Sequence, residues 1–200
     1  MSAQEDLSAD RPQNPLYERY ASAEMARIFS SRHRYRTWRR LWIALAESQK
    51  ELGLSITDEH LDALRQAADN IDFERVAELE LETRHDVVAH LRHFAELSGE
   101  AGGKLHLGVT SAFITDNTDC VLLREALVLL RSRLATTAKA LRGFAVDHAA
   151  TPALAYTHFQ PAQLTTVGKR ACLWLQDFIE DLKTIDREIS QFRCRGAKGT

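Results

Sequence analysis

Proline is scarce in this chain, with four residues in 200, at positions 12, 15, 152 and 161. The whole stretch between Pro15 and Pro152 can therefore run helical without meeting a residue that lacks the backbone donor. Cysteine is scarce too. Cys120, Cys172 and Cys194 are odd in number, widely spaced and form no CxxC pair. That argues against a disulfide framework or a structural zinc site and fits free thiols in a reducing cytoplasm. No apolar run approaches the roughly 20 residues that a membrane-spanning helix needs. An excess of one charge is also missing: the net charge of −2 and pI near 6.4 argue against a nucleic-acid or membrane-surface protein. The opening "MSAQEDLSADRPQ" has neither the basic nor the apolar region of a secretory signal, and residues 1–13 read as a disordered tail. Nowhere does period-two alternation persist.

What is present is helical periodicity. At 44% hydrophobic residues the chain can bury one sizeable core or two small ones. Leu, Ala, Arg and Glu dominate, and the pattern predicts an all-α protein. The first part, 14–111, reads as a domain of short to medium helices. Ser31 is placed to cap a helix that runs to Leu52, with Tyr35, Trp38, Leu41, Trp42 and Leu45 on one face and Gly53 as its stop. Thr57 and Asp72 are the next N-caps, each flanked by a hydrophobic staple, Ile56 with Leu61 and Ile71 with Val76. A further helix covers about Asp86 to Ser98. The segment "GEAGGKLHLGVTS" holds four of the nine glycines and reads as loop.

From about Thr118 the character changes. Leu123, Leu127, Leu130, Leu134, Thr137, Leu141, Phe144 and His148 step by fours and threes, and Leu164, Val167, Ala171, Leu175, Phe178, Leu182, Ile185, Ile189 and Phe192 do the same. These two seams predict the first long antiparallel helices of a bundle over 112–200. Helices this long need partners along their whole length, and two of them leave apolar surface bare. The expected assembly is therefore larger, completed by further chain, other subunits, or both.

Four constellations are candidates for chemistry. Between the two seams lies "AYTHFQPAQLTT", where His158 is accompanied by Thr157, Gln160 and Gln163 and stiffened by Pro152 and Pro161. Such a corner can hold a general acid or base and bind carboxylate, although a lone histidine in a loop more often caps a helix end. In "TRHDVVAH", Arg84, His85 and Asp86 fall at a helix start, where backbone N–H groups and the dipole favour an anion. Arg84 adds a bidentate donor, while on this segment alone an aspartate N-cap with solvated neighbours explains the residues as well. In "HLGVTS", Gly108 permits close backbone approach and Thr110 and Ser111 offer hydroxyls just before the long helix; a capped helix start is the plainer reading. The run "SRHRYRTWRR" has five arginines, but its aromatics lie on the apolar helix face, so a solvated or inter-subunit surface is favoured over nucleic-acid binding. His85, His90, His93 and His106 show no i, i+4 pair and no acidic or thiolate ligand at matching spacing, so no metal site is expected.

In this order, "RYAS" at 19–22, "RHD", "HLGVTS" with "DNTD", and "THFQPAQLTTVGKR" resemble the adenylosuccinate lyases of the fumarase/aspartase superfamily. The resemblance runs from about Asn14 to the last residue, and the closing "FRCRGAKGT" looks like the start of the family's next conserved loop. The chain thus reads as an N-terminal fragment. The resemblance implies β-elimination of adenylosuccinate to AMP and fumarate, and of the matching succinyl-carboxamide imidazole ribotide, in purine nucleotide biosynthesis, with neither metal nor redox cofactor. By resemblance His158 is the general acid, supported by His85. Arg19, Tyr20, Arg84, His85, Asp86, Thr110, Ser111, Thr157 and Gln160 contact the nucleotide substrate. The family's base, a serine on a mobile glycine-rich loop, has no counterpart here, so these 200 residues alone are expected to be inactive. The resemblance further implies a cytoplasmic homotetramer whose active sites are shared between subunits. Another fumarate-releasing lyase, such as an argininosuccinate lyase, is the alternative of like chemistry, and a non-catalytic helical scaffold the alternative of another class.

Overall fold

The computed structural model describes residues 14–197, so the expected tail at 1–13 lies outside the described residues. The chain divides into two units between Leu105 and His106.

The first unit begins with a helical turn at Leu16–Tyr20, followed by α1 (Ala23–Ile28), α2 (Ser31–Glu51), α3 (Asp58–Ala67), α4 (Phe73–Thr83), α5 (Asp86–Ser98) and a tight turn of 3₁₀ helix at Gly99–Lys104. Local chemistry fixes these boundaries. Ser30, one residue before the expected Ser31, caps α2 by accepting from the His33 amide. Thr57 and His60 satisfy each other's backbone N–H in a reciprocal box at the start of α3. Asp72 accepts from the amides of Glu74 and Arg75. The staple residues Ile56, Leu61, Ile71 and Val76 are all buried. The glycine-rich segment is not all loop: its first six residues coil against α5 and bury Ala101.

The core of this unit is aromatic. Trp38, Trp42, Leu64, Val87 and Phe94 are buried, with the Trp42 and Phe94 rings 6.2 Å apart. One of the arginines read as solvated is buried with them. Arg39 is 1% exposed and lies over the Phe94 ring. Its Nη1 donates to the carbonyls of Ala67 at 2.7 Å and Asn70 at 2.5 Å, so the guanidinium satisfies the open C-terminal end of α3. Desolvation lowers its pKa to about 10, and it remains a cation at neutral pH. The other arginines of the run do reach the surface; Arg36, for example, pairs with Asp69 at 2.9 Å.

Two histidines of α5 are buried as well. The His90 ring lies 3.7 Å from that of Tyr35 and 5.2 Å from that of Trp38. Burial, with Arg39 and His93 adding to it, pushes its pKa down to about 4. His93 accepts the Asp72 amide on Nε2 at 3.0 Å, and burial lowers its pKa too. Above about pH 6.5 both folded and unfolded states hold His90 neutral. As the pH falls below that, the unfolded chain takes up a proton that the folded one refuses, so stability declines until pH about 4. From pH 6.5 to 5 that is a loss of about 2 kcal/mol from His90. Urea unfolding of wild type and His90→Gln across this window checks it: the wild type should lose more stability than the variant.

In the second unit, α6 (Ser111–Asp147) and α7 (Val167–Gln191) are joined by a two-stranded hairpin, β1 (Pro152–Thr157) and β2 (Gln160–Thr166). The helices are antiparallel: Gly168 at the start of α7 meets the end of α6, Arg131 pairs with Asp186 midway, and Asn117 near the start of α6 bonds to the chain just beyond α7. Burial along α6 falls on Ile114, Thr118, Leu122, Ala138 and Ala145, while Leu123, Leu130 and Phe144 of the expected seam are exposed. The seam of α7 fares better, since Leu175, Phe178, Leu182, Ile185 and Ile189 are the more covered positions and Leu173 and Trp174 stand out in solvent. No helix among the described residues is long and apolar enough to cross a membrane.

Candidate active site

The hairpin is the departure from all-helical expectation. Residues 152–157 pair antiparallel with 160–166, with a bulge between Leu154 and Tyr156. Its base is clipped to the helices: the Val167 amide donates to the Thr151 carbonyl and the Gly168 amide to that of His148, each at 3.0 Å, and Arg170 Nη2 reaches the Leu154 carbonyl at 2.8 Å. Thr157 and Gln160 form the last pair, which leaves His158 and Phe159 as a two-residue turn. Both have positive φ, 48° and 63°. A turn of this kind is ordinarily filled by Asn-Gly, and non-glycine residues in the left-handed region carry strain of about 1–3 kcal/mol each. Packing does not explain the choice, because Thr157, His158, Phe159 and Gln160 are all exposed, the phenylalanine completely. The turn presents an imidazole at the tip of a braced arm, flanked by a hydroxyl and an amide.

Arg84, His85 and Asp86 form the hinge between α4 and α5. Arg84 has left-handed backbone, φ 53° and ψ 32°, and its amide closes α4 on the Glu80 carbonyl at 2.8 Å. His85, not Asp86, occupies the N-cap position, and its side chain makes no capping bond. Its Nδ1 instead lies 3.3 Å from Asp86 Oδ1, while that carboxylate oxygen accepts the Val87 amide at 2.7 Å. All three residues are exposed. A surface hollow of about 500 Å³ adjoins Arg84, lined also by Ala77, Glu80 and Leu81. Beneath, burial and the carboxylates of Asp86 and Glu80 hold the Tyr35 phenol above its ordinary pKa. Arg19 and Tyr20 lie on the exposed turn at Leu16–Tyr20.

Thr110 is the N-cap of α6 and Ser111 its first residue, half-buried both, and the threonine hydroxyl does not serve the helix as a cap. His106 and Gly108, with φ of 58° and 69°, bend the chain into that start. Because α6 has 37 residues, it is about 55 Å long. The turn bearing His158 follows its far end. Within one chain the second unit therefore holds Thr110 and Ser111 apart from Thr157, His158 and Gln160. Among the described residues no three His, Cys, Asp or Glu side chains converge as a metal site.

Residues 17–200 match a protein family described as Lyase. The chain is 44% identical over 194 residues to an adenylosuccinate lyase of Saccharomyces cerevisiae, a match that takes in 96% of this chain and 40% of that protein. It is likewise 44% identical to an adenylosuccinate lyase of Schizosaccharomyces pombe, over 93% of this chain and 39% of the other. Among solved structures, a fumarate lyase from a Mesorhizobium species superposes with a TM-score of 0.78 at 27% identity, over 90% of this chain and 44% of that one. The chain spans about 40% of the length of the curated relatives it matches.

Proposed function

The chain belongs to the lyase family, which its residues 17–200 match, and on that premise we propose that the protein carrying it is an adenylosuccinate lyase. The observation that supports this most is the hairpin tip, where a strained, exposed His158 stands between Thr157 and Gln160 with no packing duty. The reaction is elimination. A base removes a proton from carbon, that electron pair becomes the new double bond of fumarate, the C–N bond breaks, and the departing nitrogen of AMP takes a proton. His158 is the acid that supplies it, and His85, turned by Asp86, supports the substrate's charge. The same steps release fumarate from the succinyl-carboxamide imidazole ribotide of purine nucleotide biosynthesis.

Arg84, Thr110 and Ser111 hold carboxylate or phosphate, Asp86 accepts from the substrate's hydrogen-bond donors, and Arg19 and Tyr20 contact the nucleotide. The length of α6 bears on assembly. Thr110 and Ser111 at one end and His158 beyond the other can serve one site only if different subunits supply them. A homotetramer of bundled long helices with shared active sites accounts for this, and for Leu123, Leu130, Phe144 and Trp174 in solvent. Three cysteines with free thiols suit a cytoplasmic enzyme.

An absorbance assay of the full-length protein tests the reading. Adenylosuccinate should be cleaved and argininosuccinate left intact; the reverse preference would overturn it. Arg84→Lys keeps the charge but loses the planar fork. We expect KM to rise about tenfold with kcat little changed, as for a contact made equally in ground and transition states. Unaltered kinetics would return this segment to a purely helix-terminating role.

A further inference from the structure

One buried polar residue is left over by the proposed chemistry. Asn117 lies in the second turn of α6, is 1% exposed, and uses its full hydrogen-bonding capacity. Its Nδ2 donates to the Phe113 carbonyl at 2.7 Å and to the Gly196 carbonyl at 3.0 Å. Its Oδ1 accepts from the amides of Arg195 at 2.7 Å and Gly196 at 3.1 Å. Only the bond to Phe113 belongs to its own helix; the other three grip the chain that leaves α7. The side-chain amide thus pairs with Gly196 on both its N–H and its C=O, as a neighbouring strand would. Gly196 has φ of 71°, a conformation that glycine takes without cost. Asparagine is a poor helix former, because its side chain competes for backbone partners. A buried asparagine in a helix interior therefore needs a reason, and the clamp on residues 195–196 is one.

We propose that Asn117 is a positioning residue: its amide fixes the chain beyond α7 beside the start of α6, and so completes the surroundings of Thr110 and Ser111. Asn117 is six positions beyond Ser111, about 9 Å along the helix axis, so the clamped segment lies at the Thr110–Ser111 end of the bundle and not at the His158 end. The backbone amides of both Arg195 and Gly196 end on Asn117 Oδ1. Without the clamp, two backbone N–H groups and one carbonyl lose their partners together, and the segment is free to leave the helix.

The inference rests on the reading of Thr110 and Ser111 as substrate-binding, and the experiment separates the two. In the full-length protein, Asn117→Leu removes all four bonds while placing an apolar, strongly helix-forming residue at a buried helical position. Asn117→Asp keeps the acceptor for both amides but sets a carboxylate against the Gly196 carbonyl. Hydrogen exchange should show the Arg195 and Gly196 amides opening roughly 100-fold faster in Asn117→Leu, and less so in Asn117→Asp. KM for adenylosuccinate should rise at least roughly tenfold in the leucine variant, with kcat within about threefold of wild type. A merely structural asparagine would leave KM unchanged, since leucine suits the helix better. Should the leucine variant not fold, the aspartate variant decides, with the same signs and smaller sizes. Wild-type exchange at both amides would overturn the clamp, and wild-type KM with fast exchange would overturn its role in positioning. If the wild-type protein does not cleave adenylosuccinate, the functional reading fails while the exchange result still decides the clamp.

Discussion

Replacing His158 by glutamine in the full-length protein is expected to lower kcat by roughly 10² to 10⁴ with little change in KM. Glutamine retains polarity and approximate length but cannot deliver a proton to the departing nitrogen. The proton moves only as the C–N bond breaks, so the loss appears in the transition state and not in substrate binding. The location of the residue makes the test clean. His158 is exposed at a turn, its neighbours are exposed, and no buried group depends on it, so the fold should be unaffected by the change. Steady-state kinetics with circular dichroism as the control would measure this. A variant that keeps kcat and raises KM would remove His158 from the role of acid and make it a binding residue.

Gly168→Ala is expected to lower kcat about 100-fold, although residue 168 lies at the opposite end of the hairpin from the turn. A Cβ on Gly168 would stand 2.3 Å from the Ala145 carbonyl oxygen and 2.8 Å from the Ala149 Cα. Both are backbone atoms near the end of α6, and backbone in a packed helix does not step aside as a flexible side chain can. The first residues of α7 must then move away from α6. The amides of Val167 and Gly168 hold the base of the hairpin to Thr151 and His148, so the arm moves with them. A displacement of about 1 Å at a catalytic group costs on the order of 100-fold in rate. Overpacking should also destabilise by about 1–3 kcal/mol, which thermal unfolding would register. A Gly168→Ala enzyme of wild-type rate and melting temperature would show that the close approach of the two helices does not brace the arm.

Several features of this molecule were legible in the residues alone, and each depends on interactions within a few positions of chain. The threonine and aspartate caps at 57 and 72, the staples beside them, the stop of α5 at Gly99 and, to within one residue, the serine cap of α2 follow from which backbone groups a helix end leaves open. The seam of α7 was readable because 3.5-residue periodicity survives whatever covers it. The start of α6 was less so: residues 111–117 precede the stepped leucines of the seam, and their place in the helix shows in the burial of Ile114 and Asn117.

What the residues by themselves determined is helix content, helix ends and the identity of the polar groups grouped around His158, Arg84 and Ser111. What tertiary structure decided is where those groups stand. The corner around His158 is a strand pair whose two faces are both largely exposed, so no alternation of apolar and polar residues could announce it; period two appears in a sequence only when one face is buried. Arg39 looked like its charged neighbours until the open carbonyls ending α3 came to meet it. Asn117 acquired partners 78 and 79 residues away, which no local pattern encodes. The separation of Ser111 from His158 by the length of α6 is likewise a matter of geometry: a helix of 37 residues is a rigid spacer, and two motifs close in the order of the chain are thereby kept apart in space.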